Sequence, residues 1–253
     1  MDKILVLSTK EEFDSARRLQ FPTYTTSSFA YNKVKDFDNS VVIRWGNSRM
    51  LCDNNGNYKE FKNVLNPGVK ITLNCSKDKS LKLLNEVVKT PKIWIKEEFV
   101  PNEELIVYRS VIHTGGNGFS VINGGFYVEK GHYATRYIKT DTEYRVFFID
   151  NDLLMVKRVT NSQKRLSEIY PVRSLWPYQK INNIPNILKE QVLLAKNKLQ
   201  LDFGGFDILE KDGEYYFLEC NSAVSLDAPY IISFFRDNLK KLLDKKFNYI
   251  LNS

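Results

Sequence analysis

Three times along this chain a run of β-favouring residues meets a short cluster of turn formers and is answered by a second such run. That pattern commits the chain to antiparallel hairpins. Residues 105–112 and 119–122 flank His113-Thr114-Gly115-Gly116-Asn117-Gly118. Residues 146–149 and 153–156 flank Asp150-Asn151-Asp152, and residues 206–209 and 215–220 flank Lys211-Asp212-Gly213. Helices are predicted between and around them. Leu188, Val192, Ala195 and Leu199 make one apolar face over 186–200, with Asn186 as its N-cap. Leu81, Leu84 and Val88 do the same over 76–88, which Pro91 closes, and 231–251 forms a final helix. Before residue 65 the pattern is that of a small α/β portion: a strand at 4–7, a polar helix around 10–20, a strand at 41–43 and a turn-rich loop at 52–57. The class is α+β, with 1–65 as a reduced N-terminal portion and 66–253 as the main domain.

Composition narrows the function classes. The 253 residues carry 37 basic and 30 acidic side chains, a formal charge of +7, and 43% are hydrophobic, enough for a substantial core and too many for a disordered tail. No run approaches the roughly 18 apolar residues of a membrane span, and Ile4 to Leu7 is too short for a signal peptide. The three cysteines, Cys52, Cys75 and Cys220, are far apart and odd in number, so neither a disulfide framework nor a cysteine zinc site is expected. A reducing cytoplasm is the expected location. Lys240-Lys241 and Lys245-Lys246 read as a solvated helix face rather than a nucleic-acid surface.

Three features carry chemistry. The glycine segment is neither a dinucleotide fingerprint nor a Walker loop; it is either a tight turn or a flap whose bare N–H groups close over phosphate, with Arg109 on the strand leading in. In the second hairpin, a three-residue loop would set Arg145 opposite Lys157. Facing cations are destabilising unless an anion lies between them; a different register would turn one of them to solvent. The third hairpin is the most informative. Glu219 and Asn221 are two apart and project from one face of a strand. Asp207 joins them if the loop is Asp212 to Glu214, whereas a two-residue loop pairs Asp207 with Leu218 and sends Glu219 to the other side. Two carboxylates and an amide oxygen are hard donors suited to Mg2+ and substrate phosphates. Their apolar neighbours would make them costly to bury without a counter-charge.

These motifs, taken in order, resemble the ATP-grasp superfamily, especially ligases similar to ribosomal-protein glutamate ligase and glutathione synthetase. The likeness runs over roughly 66–229. Ser76-Lys77-Asp78-Lys79 through Thr90-Pro91 resembles the family's Asp-Lys helix and Thr-Pro. Val107-Tyr108-Arg109 and the following glycines resemble its basic strand and flap. Arg136-Tyr137-Ile138 and Glu143-Tyr144-Arg145-Val146 resemble the adenine hinge and ribose strand, and Gly204 to Leu209 with Phe217 to Asn221 resemble the metal-binding segments. The resemblance implies two lobes clasping ATP, a small flap lobe at about 92–138 and a large one at about 139–253. Lys79, Arg109 and the flap residues Thr114, Gly115, Gly116 and Gly118 would meet phosphates. Main-chain groups of Arg136, Tyr137 and Ile138 would hold adenine, and Glu143 would hold ribose. Arg145 would face the transferred phosphoryl with Lys157, Arg158 and Arg173 beside it, and Asp207, Glu219 and Asn221 would bind Mg2+. Two departures stand out: position 109 is arginine where lysine is usual, and the asparagine and glycines expected around 173–176 are replaced by Arg173-Ser174-Leu175-Trp176.

The implied activity is ligation of a carboxylate to an amine through an acyl-phosphate, with an amino acid, peptide or protein terminus as substrate. The alternatives are a small-molecule kinase of the same fold and a non-catalytic basic protein that binds nucleic acid. Arg44, Arg49 and Arg173 point to an anionic substrate. His113 and His132, both in or near turns, are expected to be structural or ligand-contacting rather than catalytic.

Overall fold

A computed structural model describes residues 3–25, 40–49, 51–52, 58–111, 120–140, 142–158 and 178–248. The glycine segment, including Thr114, Gly115, Gly116 and Gly118, and the segment containing Arg173 lie outside them.

The N-terminal part is a parallel sheet of order β2-β1-β3-β6, built from β1 (Lys3–Ser8), β2 (Thr23–Thr25), β3 (Ser40–Trp45) and β6 (Asn63–Leu65). β3 is buried along its whole length, as a parallel strand covered on both faces must be. The polar helix predicted around 10–20 contracts to α1 (Phe13–Arg17), and Gln20, at φ 65°, turns the chain away from it. β4 (Leu51–Cys52) and β5 (Tyr58–Lys59) form a separate two-stranded ribbon. Two helices follow in place of one, α2 (Gly68–Cys75) and α3 (Lys77–Asn85), parted at Ser76, whose backbone is extended.

The small lobe is an antiparallel sheet of order β10-β9-β12-β7: β7 (Ile93–Trp94), β9 (Leu105–Ser110), β10 (Ser120–Asn123) and β12 (His132–Arg136). β8 (Phe99–Val100) pairs with β11 (Phe126–Tyr127) beside it. The large sheet has order β15-β14-β13-β16-β17, from β13 (Thr142–Ile149), β14 (Asp152–Arg158), β15 (Tyr178–Ile181), β16 (Phe203–Lys211) and β17 (Glu214–Asn221). Helix α4 (Asn186–Leu199) starts one residue earlier than expected: Pro185 takes the N-cap and Asn186, the expected cap, is already helical. Helix α5 (Pro229–Phe247) is shifted slightly N-terminal of its predicted span. Among the described residues, no helix is long and apolar enough to cross a membrane.

The two faces of the large sheet have different neighbours. On one, Val146, Phe148, Met155, Phe206, Ile208 and Phe217 pack with α4 and the end of α3. On the other, Phe147, Ile149, Leu154, Val156 and Phe203 share a single core with the parallel sheet and α5. Trp45 bridges them, stacked on Phe203 at 5.3 Å and edge-on to Phe235 at 5.4 Å.

The hairpin turns decide the register. Both are two residues long: Ile149 pairs with Asp152 and Lys211 with Glu214. Asp212 (φ 53°) and Gly213 (φ 77°) both take positive φ, as the hairpin turn compatible with strand twist requires. By parity alone this turn would have sent Glu219 to the wrong face. A bulge restores it: Ile208 pairs with Phe217, but Asp207 pairs with Glu219. The extra residue lets Tyr215 and Phe217 enter the α4 core while Glu219 and Asn221 point the opposite way. The Phe217 N–H freed from the ladder donates to the Lys89 carbonyl at 2.9 Å.

Candidate active site

Alternation along the large sheet turns an apolar face into a charged one. In β13, Phe147 and Ile149 lie in the core shared with the parallel sheet, and Arg145 and Glu143 continue the same face toward the start of the strand. Arg158 continues the face of Leu154 and Val156 in β14. Asp207 is the cross-strand partner of both Arg145 and Glu219, and Asn221 follows two residues on. Asp207, Glu219 and Asn221 therefore share one face.

Arg145 clamps Asp207 with a two-pronged contact, Nε to Oδ1 at 2.6 Å and Nη2 to Oδ2 at 2.8 Å. Burial works against the Arg145 charge, yet Asp207 outweighs it and the guanidinium pKa rises. Arg158 pairs with the buried Glu143, Nη1 to Oε1 at 2.7 Å. Burial likewise opposes the Arg158 charge, and Glu143, Asp207 and Tyr178 together more than offset it. The Tyr178 ring lies beside both arginines, 6.0 Å from the Arg145 guanidinium carbon and 5.7 Å from that of Arg158. The Asn221 amide donates toward both carboxylates, at 3.4 Å to Asp207 and 3.3 Å to Glu219.

Helix α3 adds a further cation. Lys77 is buried, with its Nζ 3.3 Å from Glu219 Oε2, while Lys79 is exposed. The α2–α3 junction is held there by Asn74, whose side-chain amide donates to the Cys220 carbonyl at 2.8 Å, between the two β17 residues of the site. From the small lobe comes Arg109, paired across strands with Tyr133. Burial raises the Tyr133 phenol pKa. Arg109 opposes that rise, and Glu219 and Asp78 add to it, so these three groups lie within electrostatic reach of Tyr133. Glu12, just before α1, is pushed up by burial and then by Glu11 and Asp227, against the pull of Arg145.

Several expectations change. Arg145 faces Val156, and Lys157 pairs with Tyr144 on the opposite face of the sheet, its ammonium 6.0 Å from the Tyr144 ring. The predicted facing of two cations does not occur; the anion opposite Arg145 is Asp207, contributed by the other neighbouring strand. Arg44 is fully buried and bound to Glu60, so it cannot greet a substrate. Arg136 is exposed and pairs with Glu104, and the N–H groups of Arg136 and Tyr137 donate to the carbonyls of Lys92 and Leu105. Neither amide is open to adenine. His132 stacks on Tyr108 at 5.0 Å in the small lobe. Lys77, Tyr133 and Tyr178 had no role assigned from sequence. A cation in the first turn of a helix runs against the macrodipole, but Lys79 shares that turn with Lys77, so the signal does not single out Lys77.

No protein-family model matches the sequence, and none of the curated proteins does. Solved structures do match. The macrocyclase MdnC bound with precursor peptide MdnA from Microcystis aeruginosa MRC superposes with a TM-score of 0.62 at 14% identity, over 92% of this chain and 98% of that one. The D-alanine–D-alanine ligase from Bacillus anthracis complexed with ATP gives 0.60 at 11% identity, over 96% and 98%. The ATP-grasp ligase PsnB complexed with its minimal precursor gives 0.59 at 16% identity, over 89% and 91%. At such low identity the likeness speaks to architecture, and with the two antiparallel lobes and the charged face between them it establishes that this chain has the ATP-grasp fold.

Proposed function

We propose that this chain is an ATP-dependent ligase that joins a carboxylate to an amine. The γ-phosphoryl of ATP passes to a substrate carboxylate oxygen, giving an acyl-phosphate and ADP. The amine then attacks the acyl carbon and phosphate leaves as the amide forms. The observation that carries this reading is the convergence of Asp207, Glu219 and Asn221 on one face with Arg145, Arg158 and Lys77. Phosphoryl transfer asks a protein chiefly to position charged oxygens and neutralise them, and this face supplies both signs of charge. No nucleophilic side chain is required.

The donor set fits Mg2+: two carboxylates and an amide that presents its oxygen by rotation of the Asn221 side chain. Among the described residues no group of three or more His, Cys, Asp and Glu is placed to hold a metal ion; the set here is two carboxylates and an amide. Asp207, Glu219 and Asn221 would hold the ion, and it would supply charge neutralisation of the phosphate oxygens. Arg145 and Arg158 orient the phosphoryl and the acyl oxygens. Lys77 and Arg109 meet the polyphosphate from α3 and the small lobe, in place of the exposed Lys79. Glu143, held by Arg158, would take a ribose hydroxyl, and adenine would be held by main-chain groups other than the Arg136 and Tyr137 amides. An amino acid or peptide is the substrate class, in keeping with solved structures of the same fold that carry precursor peptides.

The test is incubation with magnesium-ATP and a panel of amino acids and acidic peptides, read by mass spectrometry with assays for ADP and phosphate. A product lighter than its reactants by one water, formed with equal ADP and phosphate, is expected. Glu219→Gln should lower turnover by about 10²-fold or more. A stable phosphorylated product would instead make the protein a kinase, and full turnover by the variant would remove Glu219 from the site.

A further inference from the structure

Lys77 occupies a position that local physics argues against. It opens α3, where a positive charge opposes the helix macrodipole, and its side chain is only 9% exposed, where an ammonium loses its hydration. Lys79, two residues on, shows that an exposed site was within reach. What holds Lys77 in place is Glu219, 3.3 Å away, together with the Lys77 N–H bond to the Val111 carbonyl at 3.2 Å and the Asn74 link from the end of α2 to Cys220. The neighbouring groups are held in the same manner. Arg145 occupies both oxygens of Asp207, and the Asn221 amide turns its donor toward both carboxylates. Both carboxylates proposed to bind the metal are thus engaged with donors from the chain itself.

We infer that Lys77 is a cation with two stations: without nucleotide it competes with the divalent ion for Glu219, and a polyphosphate draws it off the carboxylate. This rests on the assignment of Glu219 to the metal, and deepens it. An ammonium and a divalent cation cannot share one carboxylate at this distance without strong repulsion, so the free chain binds the ion weakly. A nucleotide's phosphates give Lys77 and Arg145 new anionic partners and release Glu219 and Asp207. Metal and nucleotide affinities are then coupled, each raising the other.

The test uses Mn2+ as the probe, titrated by the loss of its free-ion paramagnetic resonance signal, with and without ADP, alongside calorimetric titration of ADP in the presence of Mn2+. Wild type should bind Mn2+ at least about tenfold more tightly with ADP than without. Lys77→Met, similar in length but uncharged, should bind Mn2+ alone at least about tenfold more tightly than wild type and bind ADP at least about tenfold more weakly. Lys77→Arg, which keeps the charge, should keep the weak nucleotide-free binding. Loss of Mn2+ affinity in Lys77→Met without nucleotide, or no change in either affinity, would overturn the inference. So would equal Mn2+ affinity of wild type with and without ADP, a result that stands even if the methionine variant does not fold. None of these readouts depends on ligation, so a failure here and a failure of the ligase reading are told apart.

Discussion

Arg44 engages all three of its guanidinium nitrogens within the protein. It ends up with no exposed surface, giving Nε and Nη2 to Glu60 at 3.2 and 2.7 Å, and Nη1 to the carbonyls of Asn47 and Arg49 at 3.1 and 3.0 Å. Glu60 also accepts the N–H groups of Gly68 at 2.7 Å and Phe61 at 3.0 Å. Burial by itself would raise the Glu60 pKa, but the hydrogen bonds and charge of Arg44 and the two amides win and hold it below the usual carboxylate range. Glu60→Ala leaves a buried guanidinium unpaired and should cost about 3–5 kcal/mol in denaturant unfolding at neutral pH. Because the folded-state pKa is depressed, this contribution is present above the unfolded pKa of about 4.3 and disappears as pH falls through the folded value. The stability gap between wild type and Glu60→Gln should accordingly narrow below about pH 4, and a gap that widened there would contradict the ion-pair account. The same scale marks how much of the site was legible. Asp207, Glu219, Asn221 and Arg145 stand out because they interrupt strongly apolar strands of period two. The choice of Lys77 over Lys79 was not legible, since a helix face is fixed only once the element before it is placed, and α2 lay in a stretch without a clear period.

At the scale of elements, β17 carries a conflict that its sequence states but does not resolve. Tyr215, Phe217, Glu219 and Asn221 alternate and would lie on one face of a regular strand, yet the first two belong with α4 and the last two with the charged face. The bulge between them settles the matter, and a two-residue turn with a bulge gives the same Asp207–Glu219 pairing that a three-residue turn would have given without one. The pairing was readable because carboxylates must find counter-charges; the route to it was not, because a bulge answers to packing on both faces at once. Gly204 is where β16 and β17 come closest to misfit. A Cβ there would lie 2.8 Å from the Asn221 carbonyl oxygen and 3.0 Å from the Phe148 ring, and backbone does not yield cheaply. Gly204→Ala should destabilise the protein by about 1–3 kcal/mol, a fall of very roughly 2–4 °C in Tm per kcal/mol, and weaken metal binding by shifting Asn221. An unchanged Tm would mean that β17 is free to move.

Across the whole molecule, one apolar core runs from the parallel sheet through Trp45 into the large sheet and α5, so the face bearing Arg145 and Asp207 is continuous with the packing that joins the N-terminal sheet to the rest. A further tie is Asn66, between β6 and α2. Its amide donates to the Phe203 carbonyl at 3.0 Å and its oxygen accepts the Asp202 N–H at 2.7 Å. The α+β class and the hairpin order were visible in sequence because they depend on local patterning. The sharing of one core between sheets so far apart in the chain was not, because Trp45 and Phe203 are joined only by tertiary packing. A divalent ion bound between β16 and β17 beside a nucleotide's phosphates is the centre of the proposed chemistry. A crystal structure with Mn2+ and a non-hydrolysable ATP analogue tests that directly through anomalous scattering. The ion should lie about 2.0–2.3 Å from oxygens of Asp207, Glu219 and Asn221, with Lys77 and Arg145 moved onto the phosphates. A bound analogue whose ion sits elsewhere, with Arg145 still clamped on Asp207 and Lys77 still on Glu219, would contradict it.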